Sequence, residues 1–209
     1  MTIDHPIFVE SIRIIKAKLK PTGLDSFEQD VLERIIHTTG DFAVEPLLSF
    51  SPLACTIGIE ALKAGAPILT DTFMAKAGVQ SMAKRTLNSN VKCILEWAPE
   101  EAENGLTRSE IGLRKAWPAL SNKFVSPQSP VVVIGSAPTA LEALLDLINL
   151  GANPPSLIIG MPVGFVGVIN SKERLANFPF PQIRLDGNRG GASIAASVIN
   201  SLLRSSILQ

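Results

Sequence analysis

The stretch Pro130-Val131-Val132-Val133-Ile134-Gly135-Ser136-Ala137-Pro138-Thr139 decides the fold class of this chain. Its run of branched apolar residues predicts a short strand that is buried on both faces, as in a parallel sheet. A tight turn follows, and Thr139 with Glu142 predicts a capping box at the start of a helix that ends at Gly151. One strand followed at once by one helix is the repeating unit of an α/β fold.

The same alternation extends in both directions from this unit. Further strands are predicted at 66–71, 91–95, 156–161 and 182–185. Further helices are predicted at 6–20, 26–40, 51–65, 72–78, 107–120, 171–177 and 192–203. Because the elements alternate without an internal repeat or a long linker, the chain is predicted to form one doubly wound α/β domain over residues 1–209. Its mostly parallel sheet is expected to have about five strands.

Ligands in such folds gather beyond the carboxyl ends of the strands. In this chain those ends carry Asp71, Glu96, the turn 135–136, the segment 160–162 and the loop 186–191. The glycines in these segments allow the backbone to approach a flat ligand closely. The sequence therefore predicts a binding edge along these positions.

The composition excludes several classes of function. The chain has 19 basic and 19 acidic residues, so no overall positive field attracts nucleic acid, and only 5% of its residues are aromatic. The apolar runs are too short to cross a bilayer, and the first residues lack the pattern of a secretory signal. Cys55 and Cys93 lie in apolar surroundings, which predicts two buried thiols and no disulfide framework. A soluble cytoplasmic protein is expected.

One predicted helix carries a candidate catalytic group. Ser26 and Gln29 predict a capping box at its start, and a glycine at position 40 predicts its end. Its apolar face consists of Val31, Leu32, Ile35 and Ile36. At about 100° per residue, Asp30, Arg34 and His37 fall together on the opposite face. A guanidinium and an imidazole are therefore predicted to lie side by side.

Two interpretations of His37 stay open at this point. It is either a half-exposed surface histidine near a helix end or a proton donor or acceptor in a cleft, since imidazole titrates closest to neutral pH. Arg34 would tend to lower the pKa of His37, or it would hold a substrate carboxylate through a two-pronged hydrogen bond. Acid–base catalysis by one imidazole would contribute about 10²–10⁴-fold to the rate.

Two other candidates lie at or within predicted helices. Thr107 and Glu110 predict a capping box, which places Arg108 in a first turn, where exposed amides and a cation could both face an anion. The alternative is that Arg108 is ordinary surface charge. Ser11 lies inside the first predicted helix, where a serine is usually only a tolerated polar residue.

Motifs of other enzyme classes are absent from the sequence. The glycine-rich loop 187–191 lacks the GxxxxGK[ST] pattern of a phosphate loop, and no GxGxxG follows a predicted strand. No GxSxG elbow is present, which argues against a serine hydrolase. With two histidines and no cluster of carboxylates, no catalytic metal site is expected.

Two stretches form a specific pair of motifs: VIGSAPTAL at 133–141 and IGMPVGFVG at 159–167. Further segments of the same kind lie at 10–15, 34–37, 61–68, 107–109 and 190–191. In this order, and over nearly the whole chain, they resemble the precorrin-8X methylmutase family of cobalamin biosynthesis. Ser136 departs from the asparagine that is common there, so any amide contact made at that position would be absent or shortened.

The resemblance implies a three-layer, flavodoxin-like α/β/α fold and a homodimer whose site is completed across the interface. It implies a methyl migration within a tetrapyrrole, precorrin-8X or cobalt-precorrin-8, to give hydrogenobyrinate or cobyrinate without an organic cofactor. His37 matches the family's proton donor or acceptor. Ser11 and Arg34 match positions that contact the substrate, and Thr107 and Arg108 match a motif near it.

Two other functions remain open from the sequence. One is a protein that binds or sequesters a tetrapyrrole or its product without converting it, and the other is a nucleotide-binding regulator built on the same fold. The pairing of His37 with Arg34 favours catalysis over sequestration. The missing phosphate motif argues against the regulator. The sequence leaves open whether the substrate already contains cobalt.

Overall fold

The computed structural model describes residues 4–103 and 105–208, which form a six-stranded sheet between two layers of helices. The acidic segment 99–105 is predicted to be a loop, and position 104 within it lies outside the described residues. The first three residues, to which the expectation about a secretory signal applies, lie outside them too. In the described part of the chain, no helix is long and apolar enough to cross a membrane.

The strands and helices alternate as predicted. The strands are β1 (Leu48–Phe50), β2 (Ile68–Thr70), β3 (Val91–Cys93), β4 (Val131–Ile134), β5 (Leu157–Gly160) and β6 (Gln182–Leu185). The helices are α1 (Pro6–Lys18), α2 (Ser26–Thr39), α3 (Ala54–Lys63), α4 (Phe73–Arg85), α5 (Arg108–Lys123), α6 (Pro138–Asn149), α7 (Val168–Ala176) and α8 (Ala192–Ser205).

The sheet has the order β1-β6-β5-β4-β2-β3. Strands β2 to β6 pair in parallel, and the chain reverses its direction of travel across the sheet between β2 and β4. The predicted doubly wound, mostly parallel sheet is therefore confirmed, with one strand more than expected. The extra strand, β1, pairs antiparallel with β6 at one edge.

The two faces of the sheet bury separate clusters of apolar side chains. Successive residues of β4 point to opposite faces, so Val131 and Val133 pack with α2, α3, α4 and α8, whereas Val132 and Ile134 pack with α5 and α6. All four side chains are fully buried, as the apolar run predicts. Cys55 and Cys93 are buried too, as expected.

Several predicted helix starts are wrong by a few residues. The capping box of α2 uses Asp25 and Glu28 in place of Ser26 and Gln29, because the Gln29 side chain hydrogen-bonds Thr22 and Glu33 instead. The next helix begins at Ala54, since the Ser51 hydroxyl accepts from the backbone of β6 and caps nothing.

The capping box predicted for α6 is wrong. Its N-cap is Ala137, which provides no side-chain hydrogen bond. The Thr139 hydroxyl bonds Thr107, and Glu142 pairs with Arg174 on α7. Both side chains are therefore taken up by tertiary contacts and are not available to the helix start.

Helix α4 does not end at Gly78 as predicted but continues to Arg85. Gly78 is a close-approach position within the helix. A Cβ built there would lie 3.0 Å from the Cβ of Ala196 on α8. The glycine therefore allows α4 and α8 to pack closely.

Candidate active site

The imidazole of His37 is held by a residue of the neighbouring helix. His37 lies in the last turn of α2, which Gly40 ends in the left-handed conformation predicted for it, with φ 68°. The hydroxyl of Ser11, on α1, lies 2.7 Å from Nδ1 of His37. This hydrogen bond fixes the ring in either neutral tautomer. It leaves Nε2 without a protein partner among the described residues.

Phe8 joins Arg34 to this histidine. Its ring meets the imidazole of His37 edge-on, with ring centroids 5.0 Å apart and planes at 83°. The Arg34 guanidinium lies over the same ring, with its Cζ 4.6 Å from the ring centroid. Both contacts are attractive because an aromatic ring has an electron-rich face and an electron-poor edge. Phe8 and Ser11 lie one turn apart on α1, so one face of α1 contacts both His37 and Arg34 of α2.

Two arginines lie over Phe8, and they differ in how their charge is compensated. Arg204, on α8, donates to both carboxylate oxygens of Asp4 at 2.6–2.9 Å and lies 3.6 Å from Asp30. The Arg34 guanidinium forms no hydrogen bond or ion pair with any residue that the structure describes. Burial lowers the pKa of Arg34, and the charge of Arg204 lowers it further. An anionic ligand is the partner that Arg34 lacks.

The surroundings of His37 favour its neutral form. Burial is the larger cause that lowers the pKa of His37, and the positive charge of Arg34 is the second. The effect expected for Arg34 is therefore present, but it is not the main one. A lowered pKa makes the protonated ring a stronger acid and keeps the neutral ring available as a base at neutral pH.

A cavity of about 340 Å³ opens beside His37, between α1, the end of α2 and the turn that follows. Its lining is mainly apolar and consists of Ile7, Glu10, Ser11, Ile14, Ile15, Lys18, Ile36, His37, Gly40 and Phe42. This volume is at the lower end of the range of about 300–1,000 Å³ for small-molecule pockets. A wide ligand would therefore extend beyond it.

The end of α2 lies at the carboxyl edge of the sheet. Asp41, in the loop after α2, accepts a hydrogen bond from Arg189 at 2.6 Å, and Arg189 belongs to the loop after β6. Leu48, the first residue of β1, pairs with Leu185, the last residue of β6. The chain after His37 therefore reaches the edge where ligands bind in doubly wound folds.

Thr107 and Arg108 lie on the opposite face of the sheet from α2. Thr107 caps α5 by accepting from the Glu110 N–H at 3.2 Å, and its hydroxyl lies 2.6 Å from that of Thr139, in the first turn of α6. Arg108 is exposed and donates through Nε to the Pro99 carbonyl at 2.9 Å. The structure brings Ser11 and Arg34 to the histidine but does not bring these two residues to it within one chain.

The capping box predicted for the start of α5 is only half present. Thr107 is the N-cap, as expected, but the Glu110 carboxylate pairs with Arg114 and does not return to the Thr107 backbone. Arg114 is one turn further along α5 and also reaches Asp146 on α6. The acid therefore joins a charge network between α5 and α6.

Two further residues belong to the site as the structure shows it. Phe8 has a signal in the sequence, which is its spacing of one helical turn from Ser11. Arg189 has none, because it lies 148 residues from its partner Asp41. Only the fold brings that pair together.

Known proteins resemble this chain over most of its length. The family model described as precorrin-8X methylmutase matches residues 6–205. The chain is 37% identical to the cobalt-precorrin-8 methylmutase of Synechocystis sp., over 96% of this chain and 95% of that protein. It is also 37% identical to the precorrin-8X methylmutase of Pseudomonas aeruginosa, over 94% and 93%. The crystal structure of precorrin-8X methyl mutase from Thermus thermophilus matches with a TM-score of 0.83 and 33% identity, covering 97% of this chain and 98% of that one.

Proposed function

Because the chain belongs to the precorrin-8X methylmutase family, we propose that His37 is the group that moves the proton in its reaction. The chain is an isomerase of cobalamin biosynthesis that shifts a methyl group within precorrin-8X or cobalt-precorrin-8, to give hydrogenobyrinate or cobyrinate. Substrate and product contain the same atoms, so every proton that the protein supplies must be recovered before product leaves.

The methyl shift needs the conjugated π-system of the substrate biased toward one tautomer. In this proposal, the protonated imidazole of His37 donates its Nε2 proton to a ring nitrogen, the methyl group moves to the adjacent carbon, and the proton then returns to Nε2 of the neutral ring. The observation that carries the proposal is the hydrogen bond between the Ser11 hydroxyl and Nδ1, which orients the ring beside an open cavity. The lowered pKa of His37 suits both halves of this proton transfer.

Arg34 and Ser11 have distinct tasks in the proposal. The substrate carries several carboxylates, and Arg34 is a cation without a carboxylate partner among the described residues, so it binds one of them. The Ser11 hydroxyl is engaged by His37 at 2.7 Å. A hydroxyl has one proton and two lone pairs, so Ser11 orients the imidazole and can still contact the substrate.

We also propose that the chain works as a homodimer whose site is completed across the interface. One chain offers a cavity of only about 340 Å³ at His37. It also exposes large apolar side chains nearby and at the same edge, with Ile7 73%, Phe165 91% and Val166 88% exposed. In the dimer, the partner subunit's Thr107 and Arg108 would contact the substrate that His37 protonates.

Mixing two inactive variants tests the shared site. Equal amounts of His37→Ala and Arg108→Ala subunits, exchanged at random, give dimers of which half are mixed, each with one intact site, so about a quarter of wild-type activity should return. Two variants of the same site, His37→Ala and Arg34→Ala, serve as the control; at substrate concentrations well below KM, where weakened binding lowers the rate of Arg34→Ala, their mixture should show no more activity than the separate variants. Recovery in neither mixture would contradict a site built from two subunits.

The activity itself is tested by visible absorption after the protein is mixed with excess precorrin-8X. Catalysis predicts that all of the substrate is converted over many turnovers. The alternative, a protein that sequesters a tetrapyrrole, predicts a change that stops at one equivalent per site. Parallel assays with the metal-free and cobalt-loaded substrates identify which one is used.

A single domain over residues 1–209 and a cytoplasmic location are parts of the same proposal.

A further inference from the structure

A buried carboxylate lies at the carboxyl edge of the sheet, between β2 and β4. Asp71 follows β2 and is fully buried. Its Oδ2 accepts the backbone N–H groups of Gly135, Ser136 and Ala137 at 3.0, 2.5 and 2.8 Å. The Thr72 hydroxyl lies 3.4 Å from its other oxygen. Among the described residues no lysine or arginine pairs with Asp71, so its partners are backbone amides and one hydroxyl.

Asp71 lies where proteins of this fold class bind their ligands. Strands β2 and β4 are neighbours, with Thr70 opposite Val133, and the chain reverses its direction across the sheet between them. Doubly wound proteins bind ligands in the crevice at this reversal, and flavodoxin-like members bind flavin mononucleotide there. Successive N–H groups in a turn before a helix are the donors that such anions use.

We propose that Asp71 is a built-in anion that fills this crevice and so excludes phosphate-bearing ligands from it. The donors of a phosphate loop are present at 135–137, but the protein satisfies them with its own carboxylate. Asp71 is in this sense a specificity-determining residue, and the methyl migration has no part in the inference.

The surroundings of the turn agree with a filled crevice. A Cβ built at Gly135 would lie 2.7 Å from Cα of Ala192, at the start of α8, so the turn has no space behind it. The same turn leads into α6, whose Thr139 hydroxyl meets Thr107. Burial raises the pKa of Asp71, and the three amide hydrogen bonds oppose that shift. The geometry, with three N–H groups on one oxygen, is the one that a carboxylate satisfies best.

Replacing the carboxylate should open an anion site. Thermal unfolding of Asp71→Ala should shift upward by several degrees in phosphate relative to chloride of equal ionic strength, because phosphate binds only the folded chain. The wild-type protein and Asp71→Asn, whose side chain still fills the space, should show only the smaller shift that phosphate gives through its exclusion from protein surfaces and through Arg34. Asp186→Ala is the matched control. It removes a carboxylate at the end of β6 that bonds Ser49 and Arg184 but no run of amides.

Two results would overturn the proposal. One is a folded Asp71→Ala protein that phosphate does not stabilise, and the other is an equal response in the wild type or in Asp186→Ala. If Asp71→Ala folds in neither buffer, the ¹³C carboxyl resonance of Asp71 in the wild-type protein at pH 7 decides. A carboxylate signal supports a built-in anion, and a protonated acid contradicts it. Neither measurement involves a tetrapyrrole, so the outcome is independent of the proposed reaction.

Discussion

Two regions of the carboxyl edge satisfy their polar groups in opposite ways. At the crevice between β2 and β4, the amides of 135–137 all donate to Asp71, so the protein closes the site that its fold class provides. At the junction of α1 and α2, Nε2 of His37 and the Arg34 guanidinium have no hydrogen-bond partner among the described residues. Arg34 is half-buried, and half-buried polar groups normally have partners, so its free guanidinium marks the place where a ligand is expected; His37 is exposed, and its Nε2 is open to solvent.

Fold class and side-chain chemistry predict the ligand site at different places in this chain. From the fold class alone, a ligand would be expected in the crevice between β2 and β4, where the chain reverses its direction of travel across the sheet. In our proposal the reaction takes place at the junction of α1 and α2, where side chains and not backbone amides supply the functional groups. Variants of the open region should therefore change catalysis, and variants of the closed region should change stability and selectivity.

The largest effect is expected from His37→Ala. Loss of the proton-transfer group should lower kcat by about 10²–10⁴-fold, while tetrapyrrole binding stays largely intact because Arg34 is unchanged. Single-turnover absorbance and equilibrium titration measure the two quantities. His5→Ala is the matched control, since it removes the other histidine, which caps α1 by accepting the Ile7 N–H at 3.2 Å. Equal activity of His37→Ala and wild type would end the assignment.

A smaller effect is expected from Arg34→Ala. Loss of a charge-assisted hydrogen bond of about 1.5–3 kcal/mol should weaken substrate binding by about 10- to 150-fold. Arg13→Ala is the control, because Arg13 has a side chain that is 70% exposed and already pairs with Glu10 at 2.7 Å. An unchanged dissociation constant for Arg34→Ala would contradict the role given to this cation.

The smallest effect is expected from Ser11→Ala. Without its hydrogen bond the imidazole is less well oriented, and the loss of about 0.5–1.5 kcal/mol should lower kcat by about 2- to 10-fold with little change in KM. Ser109→Ala, in the first turn of α5, is the control and should be neutral. A change in KM alone would mean that Ser11 acts only on the substrate.

The fold was largely predictable because its strands are runs of apolar residues. Four branched residues in β4 could only be buried on both faces, and the structure buries them so. Strand β1 gave no such signal, since it has three partly buried residues and pairs with β6, with Leu48 opposite Leu185 far along the chain. A capping box was wrongly predicted where a polar side chain such as Thr139 finds a tertiary partner, Thr107, that local sequence does not reveal.

The candidate site was predictable only within one helix. Helical periodicity put Arg34 and His37 on one face of α2, and the structure agrees. The contact of His37 with Ser11 joins residues 26 positions apart and depends on how α1 packs on α2. The task expected of Arg108 could not be derived from one chain, because its only described hydrogen bond is to the Pro99 carbonyl, away from the histidine.

We propose that the imidazole of His37 titrates in the reaction and that its surroundings set its pKa. The chain has only two histidines, so an NMR titration resolves both. The pKa of His37 in the free protein should coincide with a limb of the pH profile of kcat/KM. Both should move to higher pH in Arg34→Gln, because removal of the positive charge relieves one of the two causes that lower this pKa. A limb that stays in place while the pKa of His37 moves would contradict the claim.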